Sequence, residues 1–187
     1  MKRSVISILC VLLSLLMLIG STGCSMYGER KKATPAYMEK RREIMSAPRP
    51  EGCEDYPIHT ALIDVDEGDH VKTVACSADG SVSLYLSTGE AYEQLHLKDA
   101  ALSQKALDFL TGMGTHIELA HHQLQTDLAP AEPDSDLLYL AADDGIHTLT
   151  VLPAYVSGSS EAAQEIYGLY RALYEAVLAV ADTGEGT

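Results

Sequence analysis

The stretch "VKTVACSADGSVSLYLS", Val71–Ser87, decides the fold. Apolar and polar residues alternate on both sides of Ala78-Asp79-Gly80, a pattern typical of two half-buried strands joined by a tight turn. A three-residue loop with Gly80 in the left-handed conformation pairs Ser77 with Ser81. This register places the apolar side chains of both strands on one face: Val74, Cys76, Val82, Leu84 and Leu86. The sequence therefore predicts a β-hairpin that packs against a core on one side.

Two further strands form a second hairpin later in the chain. Asp136–Ala142 and Ile146–Leu152 flank Asp143-Asp144-Gly145, which is another Asp-Gly turn between apolar segments. One more short strand is predicted at Ala61–Val65, before the first hairpin.

An amphipathic helix follows each hairpin. Asp99–Gln125 has apolar residues at three- and four-residue steps, and we expect a kink or a break at Gly112 and Gly114. Ser160–Asp182 is the stronger helix and begins at a capping serine. The fold class is therefore α+β. We expect a two-layer sandwich of two ββα units, with an antiparallel sheet of four to five strands and two helices on one face.

The N-terminus has the features of an export signal. A short basic start precedes the apolar run Ser4–Ile19, which is short for a membrane span. Gly20-Ser21-Thr22-Gly23 then leads to Cys24. This ending resembles the lipobox of bacterial lipoproteins, in which the cysteine receives a diacylglyceryl group and becomes residue one. The resemblance implies a signal peptide over residues 1–23 and palmitate-type lipidation of Cys24.

Lipidation would anchor the protein to a bacterial membrane on its extracytoplasmic side. The alternative is an uncleaved N-terminal membrane anchor, whose basic flank Arg30–Arg42 would hold the domain in the cytoplasm. Because Cys10 would leave with the signal peptide and Cys24 would be lipidated, Cys53 and Cys76 remain. They form either a disulfide or two separate thiols.

Charge divides the remaining chain into two parts. Residues 24–49 contain seven Lys/Arg and three Glu, whereas residues 50–187 contain four Lys/Arg and 24 Asp/Glu. Residues 24–57, rich in proline and without sustained apolar periodicity, are predicted to be a flexible basic tether that contacts membrane headgroups. A short helix at Tyr37–Ser46 is an open alternative within this tether. Residues 58–182 form the acidic domain, and 183–187 a disordered tail. An acidic domain repels phosphates, which excludes nucleic acid and favours a cationic protein partner.

No pattern in the sequence indicates a metal, a cofactor or a catalytic group. His116, His121 and His122 are close in sequence, but on a helix a five-residue spacing points the first two apart. The carboxylates of Asp64–His70 and Asp143-Asp144 are best interpreted as turn formers. The sequence favours a binding protein over an enzyme.

The polar face of the first hairpin is the predicted partner-binding surface. With both helices on the apolar face, the other face would be open to a partner or to a second copy in a homodimer. The residues assigned to it, with two tyrosines of the last helix, are Ser81, Ser83, Tyr85, Ser87, Tyr167 and Tyr174. The alternative for the tyrosines is the boundary of the core, with their hydroxyls at its edge.

Two segments also carry a resemblance to known sequences. "ADGSVSLYLSTG" (Ala78–Gly89) and "LLYLAADDG" (Leu137–Gly145) together resemble a group of small uncharacterised bacterial proteins that share a D-G-S-x-S-L-Y-L-S-T-G hairpin. The resemblance spans about residues 70–182 and implies no known activity.

Three functions are consistent with these observations. The first is an extracytoplasmic, membrane-anchored lipoprotein that acts as a non-catalytic binding or accessory module of the cell envelope. The second is an immunity-type protein that binds a basic toxin. The third is an envelope hydrolase that uses the Asp64–His70 region together with His147.

Overall fold

The computed structural model of the protein describes residues 31–123 and 127–183. The predicted signal peptide, Cys24 and the tail beyond Thr183 lie outside the described residues. Within the described ranges, none of the helices has the length and apolarity needed to cross a membrane.

The protein is an α+β sandwich built on one antiparallel sheet. Seven strands lie in the order β4-β3-β2-β1-β6-β7-β5. Their bounds are β1 Ile58–Asp66, β2 Val71–Ser77, β3 Val82–Leu86, β4 Ala91–Tyr92, β5 His121–His122, β6 Asp136–Ala142 and β7 Gly145–Val151. The prediction of four to five strands is wrong because it missed β4 and β5. Each has only two residues, too few to show an alternating pattern.

Both predicted hairpins are confirmed. In the first, Cys76 pairs with Val82, and the Ser77 amide donates to the Ser81 carbonyl at 3.1 Å. Gly80 has a φ of +82°, which is the left-handed conformation that the turn requires. In the second hairpin Ala142 pairs with Gly145, so the loop between these two residues is tight.

Two helices pack on the face of the sheet that the alternation of apolar residues predicts to be buried. We call this the first face. They are α2, Ala101–Thr115, and α3, Glu161–Asp182. The buried first-face core includes Ile63, Val74, Cys76, Val82, Leu84, Phe109, Leu110, Leu138, Leu140, Tyr170 and Val177. The helix predicted over Asp99–Gln125 is shorter than expected, because α2 ends at Thr115, one residue beyond Gly114. The chain then forms a short 3₁₀ helix and pairs with β7 as strand β5.

A third helix, α1 at Pro35–Ser46, lies on the opposite, second face of the sheet. Three side chains of this helix, spaced four residues apart, are buried against the sheet: Tyr37, Arg41 and Met45. The short helix at Tyr37–Ser46 is therefore confirmed, beginning two residues earlier, whereas the prediction that this stretch belongs to a flexible tether is wrong because α1 packs on the sheet. The described part of the domain includes this helix, and the central strand β1 is buried on both faces as a result.

Candidate functional site

The contact between α1 and the sheet is centred on a buried ion pair. Arg41 donates two parallel hydrogen bonds to Asp64 of β1, Nη1 to Oδ1 at 2.6 Å and Nη2 to Oδ2 at 2.8 Å. Both side chains are almost fully buried, with 2% and 0% of their surface exposed. Bidentate pairing of this kind fixes the orientation of the guanidinium as well as its position.

Surrounding groups form hydrogen bonds with most of the remaining donor and acceptor atoms of the ion pair. The Arg41 Nε donates to the Leu128 carbonyl at 2.9 Å. The Thr73 hydroxyl and the Ala131 amide donate to the Asp64 carboxylate. Burial alone would lower the pKa of Arg41, but the adjacent Asp64 carboxylate keeps it above its usual value. The guanidinium of Arg41 therefore keeps its charge in the folded structure, where its position is fixed by these hydrogen bonds.

Because α1 packs on the second face, the residues of the predicted partner-binding surface are less exposed than expected. Tyr85 and Ser87 are buried, while Ser81 and Ser83 are half-buried. Tyr85 lies in a second apolar cluster with residues from α1 and neighbouring strands: Tyr37, Met45, Leu62, Ala75, Tyr139 and Ala141. The prediction of an open second face is wrong for Tyr85 and Ser87, which are buried, because α1 and the Leu128–Ala131 segment lie on this face. The homodimer remains a prediction.

Four of the seven basic residues in the predicted basic segment form ion pairs with acidic residues of the rest of the domain. Lys31 lies 3.5 Å from Asp69, and its backbone amide donates to the Asp69 carbonyl at 2.8 Å. Three more ion pairs join this segment to the rest of the domain: Lys40 with Glu93 at 3.2 Å, Arg41 with Asp64 at 2.6 Å and Arg49 with Asp143 at 2.8 Å. The first cationic partner of the acidic domain is thus its own N-terminal segment.

The tyrosines of α3 belong to the core. Tyr170 and Tyr174 are buried, and Tyr167 packs edge-on against Tyr170. The Tyr170 hydroxyl donates to the Asp136 carboxylate at 2.7 Å, and the Tyr174 hydroxyl donates to Glu67. Of the two alternatives, the core boundary is confirmed, and a partner-binding role for Tyr174 is wrong.

These two carboxylates lie at the rim of an acidic cleft, defined by Asp66, Glu67, Asp134 and Asp136. The cleft has a volume of about 450 Å³ and is bounded on one side by Pro153 and Ala154. Burial raises the pKa of Asp136, and the Tyr170 hydroxyl partly offsets this by favouring the carboxylate. The buried phenols thus orient two of the four acidic side chains that line the cleft, and the positive charge of Arg171 also acts on Asp136.

An apolar groove lies on the other side of the same 3₁₀ helix, Pro153–Gly158. It has a volume of about 300 Å³ and is lined by Leu119, Leu149, Thr150, Val151, Leu152, Tyr155, Val156, Ser159 and Ala163. Leu152 and Tyr155 are 47% and 73% exposed, unusual values for large apolar side chains. This groove could not be predicted from the sequence, because Leu152–Ser159 has neither helical nor strand periodicity.

The histidines are distributed around the edge of the sheet. His122 and His147 stack edge to face at 5.2 Å, and both contact Asp144, through its carbonyl and carboxylate respectively. The hydrogen bond from His147 lowers the pKa of Asp144. His116 instead lies 3.3 Å from Glu165. Across residues 31–123 and 127–183, no three His, Cys, Asp or Glu side chains are grouped so as to hold a metal ion.

The residues proposed for a hydrolase do not converge. Asp64 pairs with Leu137 on β6 and points to the second face, whereas His147 pairs with Leu140 and points to the first. Three residues along the strand and two strand spacings separate them, which is about 14 Å between their Cα atoms. Asp64 is also occupied by Arg41, so it is not available as a base.

Cys53 and Cys76 are free thiols, and both are buried in the first-face core. Burial raises the pKa of Cys76 to about 12. Of the two alternatives, the structure has separate thiols.

Comparisons of the chain with protein-family models, with curated proteins and with solved structures give no match. The resemblance of Ala78–Gly89 and Leu137–Gly145 to a group of bacterial proteins, and that of Cys24 to a lipobox, remain predictions.

Proposed function

We propose that the protein is a lipid-anchored, non-catalytic binding module on the extracytoplasmic side of a bacterial membrane, and that its partner is a cationic protein. The membrane address rests on the apolar run Ser4–Ile19 and the small residues before Cys24. The proposed partner rests on the charge of the domain.

One observation supports the cationic partner above all others. Residues 106–170 contain ten Asp/Glu and no Lys or Arg. This segment supplies β5, β6, β7 and the start of α3, and it lines the apolar groove completely. Among the basic residues of the N-terminal segment, Arg49 pairs with Asp143 of this acidic segment, whereas Lys31, Lys40 and Arg41 pair around α1 and the β1–β2 turn. The β7 side of the domain therefore remains acidic, and a field of one sign attracts ligands of the opposite sign.

The membrane address is tested by metabolic labelling with an alkyne analogue of palmitate. We expect label on the wild-type chain and on Cys10→Ala, and none on Cys24→Ala. Cys10→Ala is the matched control because this cysteine lies in the same N-terminal segment but outside the lipobox. Label that persists on Cys24→Ala, or a wild-type chain that never acquires it, would contradict the proposal.

A narrower form of this function is an immunity-type protein that neutralises a basic toxin. The same acidic segment, residues 106–170, favours it. It predicts a toxin gene beside the gene for this protein and binding that weakens with salt. The absence of such a neighbour would leave the wider proposal and remove the narrower one.

A further inference from the structure

We propose that the apolar groove beside Pro153–Gly158 is the docking site for a cationic segment of a partner protein. In this arrangement an apolar side chain of the segment enters the groove, and its flanking Lys or Arg residues face the surrounding acidic surface. The inference rests on the proposed function and adds to it the location and chemistry of the contact.

The groove has the form of an anchor site. Leu149 and Val151 of β7, partly buried against the core, contribute to one side, while Leu119 and Tyr155 belong to the two short 3₁₀ helices beside it. Among the described residues, three large apolar side chains are prominently exposed, Leu97, Leu152 and Tyr155. Two of the three line this one groove. Apolar exposure that is clustered, rather than scattered, marks interaction sites.

The strand pairing of β7 with β5 ends beside the groove. Strand β5 pairs with β7 only through His147 and Thr148. In the described part of the chain, no strand continues this pairing along Leu149–Val151. An extended segment can therefore add to this edge by main-chain hydrogen bonds while one of its side chains enters the groove.

The charge around the groove selects the occupant. Glu118 immediately precedes Leu119, Glu161 lies at the start of α3, and the acidic cleft lies across Pro153–Gly158. A second copy of the chain would bring the same acidic surfaces together, which like charges disfavour. A segment that combines Lys or Arg with an aromatic or aliphatic anchor satisfies both the charge and the groove.

The test is a selection from random dodecapeptides displayed on phage, with the membrane-extracted full chain immobilised in mild detergent. We expect the selected peptides to be enriched in Lys and Arg around a large apolar residue. Raising the ionic strength from about 0.05 M to about 0.5 M should weaken their binding about tenfold, because rim charges are screened.

Two matched variants locate the site. Tyr155→Ser and Leu97→Ser each remove an apolar side chain that is 73% exposed, so neither should disturb the fold. We expect Tyr155→Ser to weaken peptide binding about thirtyfold, the loss typical of a binding hot spot, and Leu97→Ser to leave it unchanged. Circular dichroism of both variants checks that the fold is retained.

The outcomes separate the two proposals. Cationic peptides that bind Tyr155→Ser as well as wild type would overturn the groove and leave the cationic partner standing. No selected peptide, or selection without cationic enrichment, would overturn both. A concentration-dependent dimer that Tyr155→Ser abolishes would assign the groove to a second copy and overturn the partner segment.

Discussion

The two faces of the sheet are covered in different ways. On the first face, α2 and α3 bury apolar side chains such as Phe109 and Val177. On the second face, α1 is held by the Arg41–Asp64 ion pair, flanked by Tyr37 and Met45. Apolar burial is non-directional, whereas a buried ion pair is favourable only when its geometry is good. The first face therefore supplies most of the apolar core, and the second fixes one helix in one position.

Breaking the ion pair should have the largest effect. Arg41→Met leaves the buried Asp64 carboxylate without its counter-ion, which we expect to lower the free energy of unfolding by about 3–5 kcal/mol. Arg42→Met is the matched control, because Arg42 is the next residue of the same helix and is exposed. Urea unfolding followed by circular dichroism measures both.

A second variant separates the charge from the helix. In Arg41→Met/Asp64→Leu both charges are gone, and we expect most of the lost stability to return. If Arg41→Met costs no more than Arg42→Met, the ion pair does not hold α1, and the two faces do not differ in the way described above.

The reactivity of Cys76 tests whether the first-face core excludes solvent. With its pKa raised to about 12, its thiolate fraction at pH 8 should be about a thousandfold below that of an ordinary thiol. We expect alkylation by iodoacetamide, followed by peptide mass spectrometry, to be far slower than in denaturing urea, because the Cys76 thiol is both protonated and buried. A cysteine introduced by Ser83→Cys on the half-buried second face should react faster. Labelling in urea only after reduction would instead indicate a disulfide with Cys53.

Tyr170→Phe should have an intermediate effect. It removes the hydroxyl that donates to the buried Asp136, and a hydrogen bond to a charged group contributes about 1.5–3 kcal/mol. Burial raises the pKa of Asp136, and the hydroxyl lowers it by stabilising the carboxylate. The loss of stability should therefore be complete above this pKa and shrink as the pH falls through it.

The matched control for this variant is Tyr167→Phe, on the same helix and half-buried. Unfolding curves between pH 7 and acidic pH compare the two variants with wild type. An equal loss at every pH would show that the Tyr170 hydroxyl acts on packing and not on the charge of Asp136.

The smallest expected effect is an increase in stability, from a substitution in a helix of the first face. Gly168 lies within α3, and an added Cβ would meet nothing within 4 Å. Gly168→Ala should therefore raise the melting temperature, with a gain of about 0.5–1 kcal/mol. At Gly112 of α2 the same Cβ would lie 2.4 Å from Leu169 Cδ1. Gly112→Ala should therefore bring no such gain in stability. An equal gain at both sites would mean that α2 and α3 pack less closely than this distance indicates.

The first face could be predicted from the sequence because its signals are local. Alternation in Val71–Ser87, the turn residues Asp79-Gly80 and the helical spacing before Asp182 each arise from neighbouring residues. The two-residue strands β4 and β5 could not be predicted, since they exist only through pairing with β3 and β7.

The second face could not be predicted because its key residue resembles a surface residue. Arg41 lies in the run Lys40-Arg41-Arg42, and an arginine among basic residues is almost always exposed. The four-residue spacing of Tyr37, Arg41 and Met45 was the available signal, but it gains meaning only with Asp64, 23 residues away in sequence. In the sequence Asp64 likewise resembles a turn carboxylate, because its contact with α1 exists only in the folded structure.

If Cys24 carries a lipid, as proposed, the position of Lys31 limits how far the domain can travel from the membrane. Lys31 is already bound to Asp69, so seven residue steps remain, with a maximum span of about 25 Å. The flexible segment predicted over residues 24–57 would have extended to about 110 Å. A tether this short is less than the diameter of the domain, about 30 Å or more. Such a tether would keep the near side of the domain within about one domain diameter of the bilayer.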